Sequence, residues 1–568
     1  MTMDPNGGPA TCEPADIILR EARIYTMDRA GTVASAIALR NGRIVAVGDA
    51  DQVDALKGAE TEVVSLEGRT VIPGIIDTHA HMEREGLKTL RPSLAAARTI
   101  ADVLAIISDA ARERPPGAWV ITMPVGQPPY YFGGPENLAE GRMPNRRELD
   151  RAAPDHPVCI AGAFNNWGVP PGYTALNSRA LALLGIDRNT EPGLSGVELV
   201  RDSETGEPNG VIIERNNRPT VDFALLRGIT GFNFPERVTG LQRSMQLYNA
   251  VGTTSVYEGH GSSPETIAVY RHLWERDALT VRSRLCVSPT WAGLDEGRKA
   301  LRDWLAYARG RGIGDEWLRI AGVFIGVGGN AQTAANTRAA LPNTGWTGFV
   351  EWAHSMEDFR AYAWLCAELD LRLNTIVVDR LEEILTIFEE IDAVIPIRDR
   401  RWVIEHVRRI ESSHVARIRR LGLHVTTIPV YSLWKNGASL TRSVPDLELY
   451  VPHRTFLEED VIASAGSDNI PFNPFFTIQA LVTRRERTTG KCLGPGQCLT
   501  PMQALRVMTA DAARVSFEEE VKGTIEKGRF ADLAVLTDDP CSIDPDRIGD
   551  ISSVMTIVDG RVVHRSAV

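Results

Sequence analysis

The sequence predicts a TIM-like parallel (β/α)8 barrel with a small sheet domain contributed by both chain ends. Three observations carry this expectation. Apolar β-rich runs alternate with segments of helical period through the middle of the chain, short turn-rich strands occupy both ends, and histidines and an aspartate stand where apolar runs stop.

At the N-terminal end, 15–64 reads as short strands. ADIILREARIYTM is followed by AIALRNGRIVAVG, where Asn41-Gly42 supplies hairpin turn chemistry. GTIEKGRFADLAVLT and SSVMTIVDGRVVHR repeat this texture near the other end, with a second turn signal at Asp559-Gly560. One sheet domain built from 14–70 and 500–568 is therefore expected, preceded by a flexible tail, 1–13. Between them, 71–499 keeps the rhythm of βα units: VIPGIID, a helix around 100–114, WVITMPV, and later RWVIEHV followed by ESSHVARIRRLG. An open doubly wound sheet would call for a Gly-rich phosphate loop after an early strand, and the sequence has none. Two inserts crowded with Pro, Gly and aromatics, 126–150 and 164–178, read as loops over the barrel mouth. Trp119, Tyr130, Tyr131, Phe132, Trp167 and Trp291 lie near such loops and suit a bulky apolar substrate group, although packing is the commoner role of each.

Composition narrows the function. With 568 residues, 43% hydrophobic and 24% charged, the chain can bury a large core, and its net charge of -11 argues against general affinity for nucleic acid or anionic membranes. A small-molecule partner is expected. The acidic, polar start lacks the pattern of a signal peptide and no apolar run reaches about 18 residues, so a cytoplasmic protein is expected. The seven cysteines are scattered without a Cys-x-x-Cys pair, and Cys492 and Cys498 read as free thiols on a Gly/Pro loop.

His79 and His81 follow an apolar run at the i, i+2 spacing that sends strand side chains to one side, so both imidazoles can meet one ion. A His-x-His alone is weak, but RWVIEHV ends near His406 and IASAGSD ends in Asp468, adding a third imidazole and a carboxylate at further strand ends. Zinc or a similar divalent ion takes this donor mixture and lowers the pKa of bound water to about 7. Asp468 is the expected general base, with His406 the second catalytic residue. Glu258 and His260 repeat the i, i+2 spacing and are candidates for substrate contact or metal donation, against a loop pair ahead of a helix begun by Ser262 and Ser263. Glu405, next to His406, is expected on the opposite face of its strand, in packing or in contact with a ligand rather than as a ligand itself. His354, His414, His424 and His453 read as structural or surface residues.

VIPGIIDTHAH, the NSRAL of 177–181, GVIIE ending at Glu214, IEH ending at His406, AGSD ending at Asp468 and the closing GTIEKGRFADLAVL together resemble the amidohydrolase superfamily. They are most similar to its YtcJ-like branch, which includes N-substituted formamide deformylases. The resemblance spans almost the whole chain. It implies a (β/α)8 barrel, a composite β-sandwich made from both ends, hydrolysis of an amide, cyclic amide or formamide-like C–N bond, and an oligomer, with a dimer expected. Two positions depart from the family pattern. Phe324 stands where relatives carry a metal-bridging lysine on the fourth strand, and Asn374 or Thr375 stands in place of a fifth-strand histidine. One ion held by His79, His81, His406 and Asp468 is therefore expected rather than two. The alternatives are a lyase or hydratase on the same scaffold, or a binding protein whose metal site has decayed.

Overall fold

The computed structural model describes residues 13–566 apart from 129, 132, 163–169, 216–219, 227–228 and 445. Cys12, Phe132, Trp167 and nearly all of the N-terminal tail lie outside the described residues. Eight parallel strands follow one another around a barrel: β1 (Ile75–Asp77), β2 (Thr253–Ser262), β3 (Arg282–Val287), β4 (Leu318–Phe324), β5 (Leu373–Ile376), β6 (Val403–Glu405), β7 (His424–Thr427) and β8 (Ala463–Ala465). Each pairs in parallel with the next. Almost every residue of these strands is buried, as expected of strands covered on both faces. One large apolar cluster fills the space between β4–β6 and the helices Met356–Glu368, Leu381–Asp392 and Ser412–Leu421.

The ends of this order, β8 and β1, meet through side chains as well as backbone. Ser467 donates from its backbone NH (2.9 Å) and its hydroxyl (2.5 Å) to the two oxygens of Asp77, Thr78 Oγ1 donates to the Ala465 carbonyl (3.0 Å), and the Asp468 NH donates to the His79 carbonyl (2.8 Å).

Two further sheets form the sandwich. A four-stranded sheet is wholly N-terminal, in the order Arg43–Gly48, Ala36–Arg40, Ile17–Arg20, Glu62–Ser65. The other is shared: Thr70–Pro73 pairs in parallel with Arg23–Tyr25 and antiparallel with Leu533–Leu536, which leads on to Ser553–Val558 and Arg561–Arg565. Leu19, Ile37, Val71, Leu533 and Ile557 fill the space between the sheets. Both expected turns form with left-handed residues, Asn41 and Gly42 in one and Asp559 and Gly560 in the other.

The stretch between β1 and β2 departs from expectation. Val120–Thr122, from WVITMPV, belongs not to a barrel unit but to a separate five-stranded sheet, in the order Val197–Arg201, Pro208–Glu214, Gly172–Leu176, Val158–Ile160, Val120–Thr122. Nor are 126–150 and 164–178 wholly irregular, since they contain the helix start at Arg146, with Asn145 and Glu148 in a reciprocal capping box, and the strand Gly172–Leu176. Of the aromatics, Tyr131 and Trp291 are buried packing residues and Trp119 is partly buried against the inserted sheet, whereas Tyr130 packs on Trp434, 4.9 Å between ring centroids.

Buried ion pairs on β3 join barrel to sandwich. Arg282 donates to Asp532 (2.8 and 3.1 Å) and Asp559 (3.1 Å), and Arg284 and Lys522 both engage Glu518, Lys522 at 2.8 Å. Burial opposes ionisation of Glu518, but Lys522 and Arg284 outweigh it and hold the carboxyl well below the usual range. A folded-state pKa below the unfolded value stabilises the protein above roughly pH 4.3, and that stabilisation is lost as pH falls further. Glu518→Gln strands two buried cations and should destabilise by about 3–5 kcal/mol. Urea titration of both proteins checks this, with the difference shrinking below about pH 4; equal stability at neutral pH would refute it.

Candidate active site and metal centre

The ligand candidates gather beyond the C-terminal ends of the barrel strands, as sites on this architecture do. His79 and His81 follow β1, His260 lies in β2, His406 follows β6 and Asp468 follows β8. Among the described residues two groups have donor atoms mutually within 4.8 Å: His79, His81 and His260, and His79, His406 and Asp468. The four residues expected to hold an ion are therefore brought together, and His260 joins them. His406 Nε2 and His79 Nε2 are 3.2 Å apart, and Asp468 Oδ1 lies 3.4 Å from His81 Nε2 and 3.9 Å from His79 Nε2.

Carboxylates stand behind these rings. Glu405 Oε2 is 3.3 Å from His79 Nδ1, at ion-pair distance though not aligned for a hydrogen bond. The expectation that Glu405 faces away from the site is corrected here. Alternation ends with the strand at Glu405, and His406 takes a left-handed backbone, φ 55°, so the two side chains reach the same centre. Gly259 makes the space, since a Cβ there would stand 1.8 Å from Glu405 Oε1. Glu258 is buried. Its Oε1 accepts from the Met82 NH (2.8 Å) and the Tyr270 hydroxyl (2.9 Å), while Oε2 lies 3.9 Å from His81 Nδ1. Asn469, absent from the sequence reading, fixes the His81 backbone on both sides, accepting from its NH (2.8 Å) and donating to its carbonyl (3.0 Å). The Asp-Asn pair after AGS was the available signal. Ser263, as expected, caps the helix Pro264–Trp274.

The electrostatics suit a cation. Burial favours a neutral His79, but Glu405, Asp468 and Asp77 outweigh it and push the imidazole up to about 9. Burial first, then neighbouring positive charge, holds His81, His260 and His406 well below the ordinary imidazole range, leaving neutral rings with lone pairs to offer. Burial raises Glu258 to about 7 against its hydrogen bonds. His81 Nε2 and both nitrogens of His260 are buried with no hydrogen-bond partner, which fits donors arranged for a metal.

Phe324 closes β4 beside this cluster, its ring 4.9 Å from that of His260, and Phe349 (4.0 Å) and Trp352 (5.0 Å) complete an aromatic flank. Asn374 pairs with Phe324 across β4 and β5 and accepts from the Tyr257 hydroxyl at 2.8 Å. His424 and His453 are buried against Ser464 and Thr427, His354 packs on Tyr362, and His414 bonds to Glu382, all apart from the centre. Cys492 and Cys498 are free, with sulfurs 3.8 Å apart.

Known proteins share this plan. The model of the Amidohydrolase family matches residues 62–564. The chain is 25% identical to N-substituted formamide deformylase of Arthrobacter pascens over 96% of this chain and 97% of that protein, and 23% identical to the putative amidohydrolase YtcJ of Bacillus subtilis over 96% and 98%. A solved structure of an uncharacterized metal-dependent hydrolase from Pyrococcus horikoshii superposes with a TM-score of 0.66 at 19% identity, covering 93% of this chain and 99% of that one, a likeness of fold. With the match running from the sandwich through the barrel and back to the sandwich, the chain belongs to the Amidohydrolase family, in its YtcJ-like branch.

Proposed function

We propose that this chain hydrolyses an amide-like C–N bond, in an N-substituted formamide or a related linear or cyclic amide, using one divalent ion, zinc. The observation that carries the reading is the convergence of four imidazoles and Asp468, with buried ring nitrogens that have no partner in the protein. His79, His81, His406 and Asp468 hold the ion, and His260 supplies the donor that Asn374 cannot. Phe324 offers no bridge to a second ion, which supports a mononuclear centre. Zinc suits a shell of this many imidazoles.

A divalent ion bound here supplies Lewis acidity toward the amide carbonyl and brings the pKa of water near 7. The chain's own residues do the rest. Asp468 accepts the proton of the attacking water on its carboxylate and returns it to the departing amine nitrogen. Glu405 and Glu258 fix the orientation of His79 and His81 from behind and raise their basicity as ligands. Phe349, Phe324 and Trp352 keep water from the His260 side and offer a surface for an apolar substituent.

Protein purified without an affinity tag should carry about one equivalent of metal per chain by elemental analysis. Asp468→Ala should lower kcat on N-substituted formamides by about 10²–10⁴-fold; absence of metal after reconstitution would sink the proposal. In ¹⁸O-labelled water one labelled oxygen should enter the released acid, whereas product without label would transfer the protein to the lyase reading. Gly259→Ala, by displacing Glu405, should weaken metal affinity by about 10–100-fold with the fold retained. Competition with a chelator reads this, and unchanged affinity would remove Glu405 from its positioning role.

A further inference from the structure

Of the free cysteines, Cys159, Cys286 and Cys366 are fully buried, and burial pushes all three thiols well up, whereas Cys541 is exposed. Cys492 and Cys498 belong to neither kind. Each is half-buried, and their sulfurs lie 3.8 Å apart, in contact. Among the described residues no other two cysteine sulfurs meet.

The main chain sets this contact. Beyond the helix Pro474–Thr483 the chain turns back on itself, with the Leu493 NH donating to the Arg484 carbonyl (2.9 Å) and the Glu486 NH to the Lys491 carbonyl (3.0 Å), while Cys492 lies opposite Arg485. A single 3-10 turn, Pro495–Gln497, then brings Cys498 round, and the Leu499 NH donates to the Leu481 carbonyl (3.1 Å). Buried Arg484 ties the inner side of the loop, donating to the carbonyls of Leu493 (2.5 Å), Tyr450 (2.7 Å) and Val451 (2.9 Å), and Arg454 donates to the Cys498 carbonyl. Each cysteine is thus next to a residue whose backbone is fastened to the end of the same helix. Disulfide sulfurs stand about 2 Å apart, so the remaining gap is within reach of side-chain rotation.

The same loop braces the barrel mouth. Its Arg487 NH donates to the Trp434 carbonyl (3.1 Å), and Leu493 packs with Leu433, Tyr450 and Val451. Leu433 and Trp434 lie on a π-helical turn, Val430–Lys435, that follows β7 and carries Tyr431, whose ring is 6.3 Å from that of His406.

We propose that Cys492 and Cys498 are a redox pair that takes glutathione disulfide as oxidant and closes a reversible disulfide, fixing the loop 484–498 against the π-helical turn. The Cys492 thiolate attacks one sulfur of glutathione disulfide, and one glutathione thiolate leaves. The Cys498 thiolate then attacks the Cys492 sulfur, the bond between the two protein sulfurs forms, and the second glutathione thiolate leaves. The protein gives up two protons and two electrons, and the oxidant becomes two molecules of glutathione. Burial and the adjacent Cys492 thiol push Cys498 up to about 11, against Arg484 and Arg454, which suits it to the second step. Part of that push disappears once Cys492 is held in the mixed disulfide. Excess glutathione runs the exchange backwards, so the pair rests as two thiols in a reducing setting. None of this depends on the hydrolytic reading.

The test treats the native, metal-loaded chain with glutathione disulfide and follows intact mass and a peptide map. The wild type should lose two hydrogens, with 492 and 498 cross-linked, and glutathione should reverse the change. Cys498→Ser should stop at a glutathione adduct on Cys492. Hydrogen exchange of the loop backbone should slow at least about tenfold in the oxidised protein, as closure of so short a ring allows. A lasting adduct on wild-type Cys492, a cross-link formed only in urea, or no reaction overturns the pair, and exchange equal in both states overturns its bracing role. The wild-type mass and map decide the pairing by themselves should the variant fail to fold.

Discussion

Everything in the centre depends on the clasp between Asp77 and Ser467. Asp77 ends the first barrel strand and Ser467 follows the last, and both oxygens of the buried carboxylate are taken by the serine's NH and hydroxyl. Burial lifts Asp77 to about 6 despite these bonds, so the group is held in place by partners that a misregistered strand could not provide. Just beyond the two clasp residues stand the groups that matter, His79 and His81 after Asp77 and Asp468 after Ser467. Gly466 permits the approach, because a Cβ there would lie 2.4 Å from His79 Cβ. Barrel closure and ligand placement are thus one event.

Around that clasp the chain buries far more charge than a stability argument alone would favour. Carboxylates of Asp77, Glu258, Glu405 and Asp468 surround four imidazoles, and desolvating them is expensive unless something positive is shared. The family relationship and the donor set agree on a divalent metal as that shared charge. Elsewhere, at Arg282 with Asp532 and Arg284 with Glu518, buried charge is neutralised within the protein and serves to fix the sandwich against β3.

Much of this could be read in the sequence, and the reasons differ from residue to residue. His79, His81 and Asp468 sit within three to five residues of short apolar runs, so strand ends together with the family resemblance pointed to them. The side to which Glu405 points was misread, though not its place behind a ligand, because alternation holds only while the backbone stays extended and His406 turns left-handed. His260 was a candidate through its i, i+2 spacing with Glu258, but its grouping with His79 and His81 was not legible, since those partners lie on a strand far away in the sequence. The inserted sheet was obscured because its strands are only three to seven residues long, yet Asn145 and Glu148 carried a capping signal that marked a helix within the apparent loop.

The shared sheet has a consequence for how the chain is made. Thr70–Pro73 reaches its partner Leu533–Leu536, and β1 reaches β8, only across some four hundred residues of intervening sequence. During synthesis the first strands of the sandwich and the first wall of the barrel emerge long before their neighbours exist, each with an unpaired apolar edge. Early segments with local partners, such as the Asn41-Gly42 hairpin and the inserted sheet, can settle at once. The barrel seam must wait for β8, so the His406 and Asp468 half of the metal centre comes into being well after the His79, His81 and His260 half, and the strands from Leu533 onward that complete the shared sheet come later still.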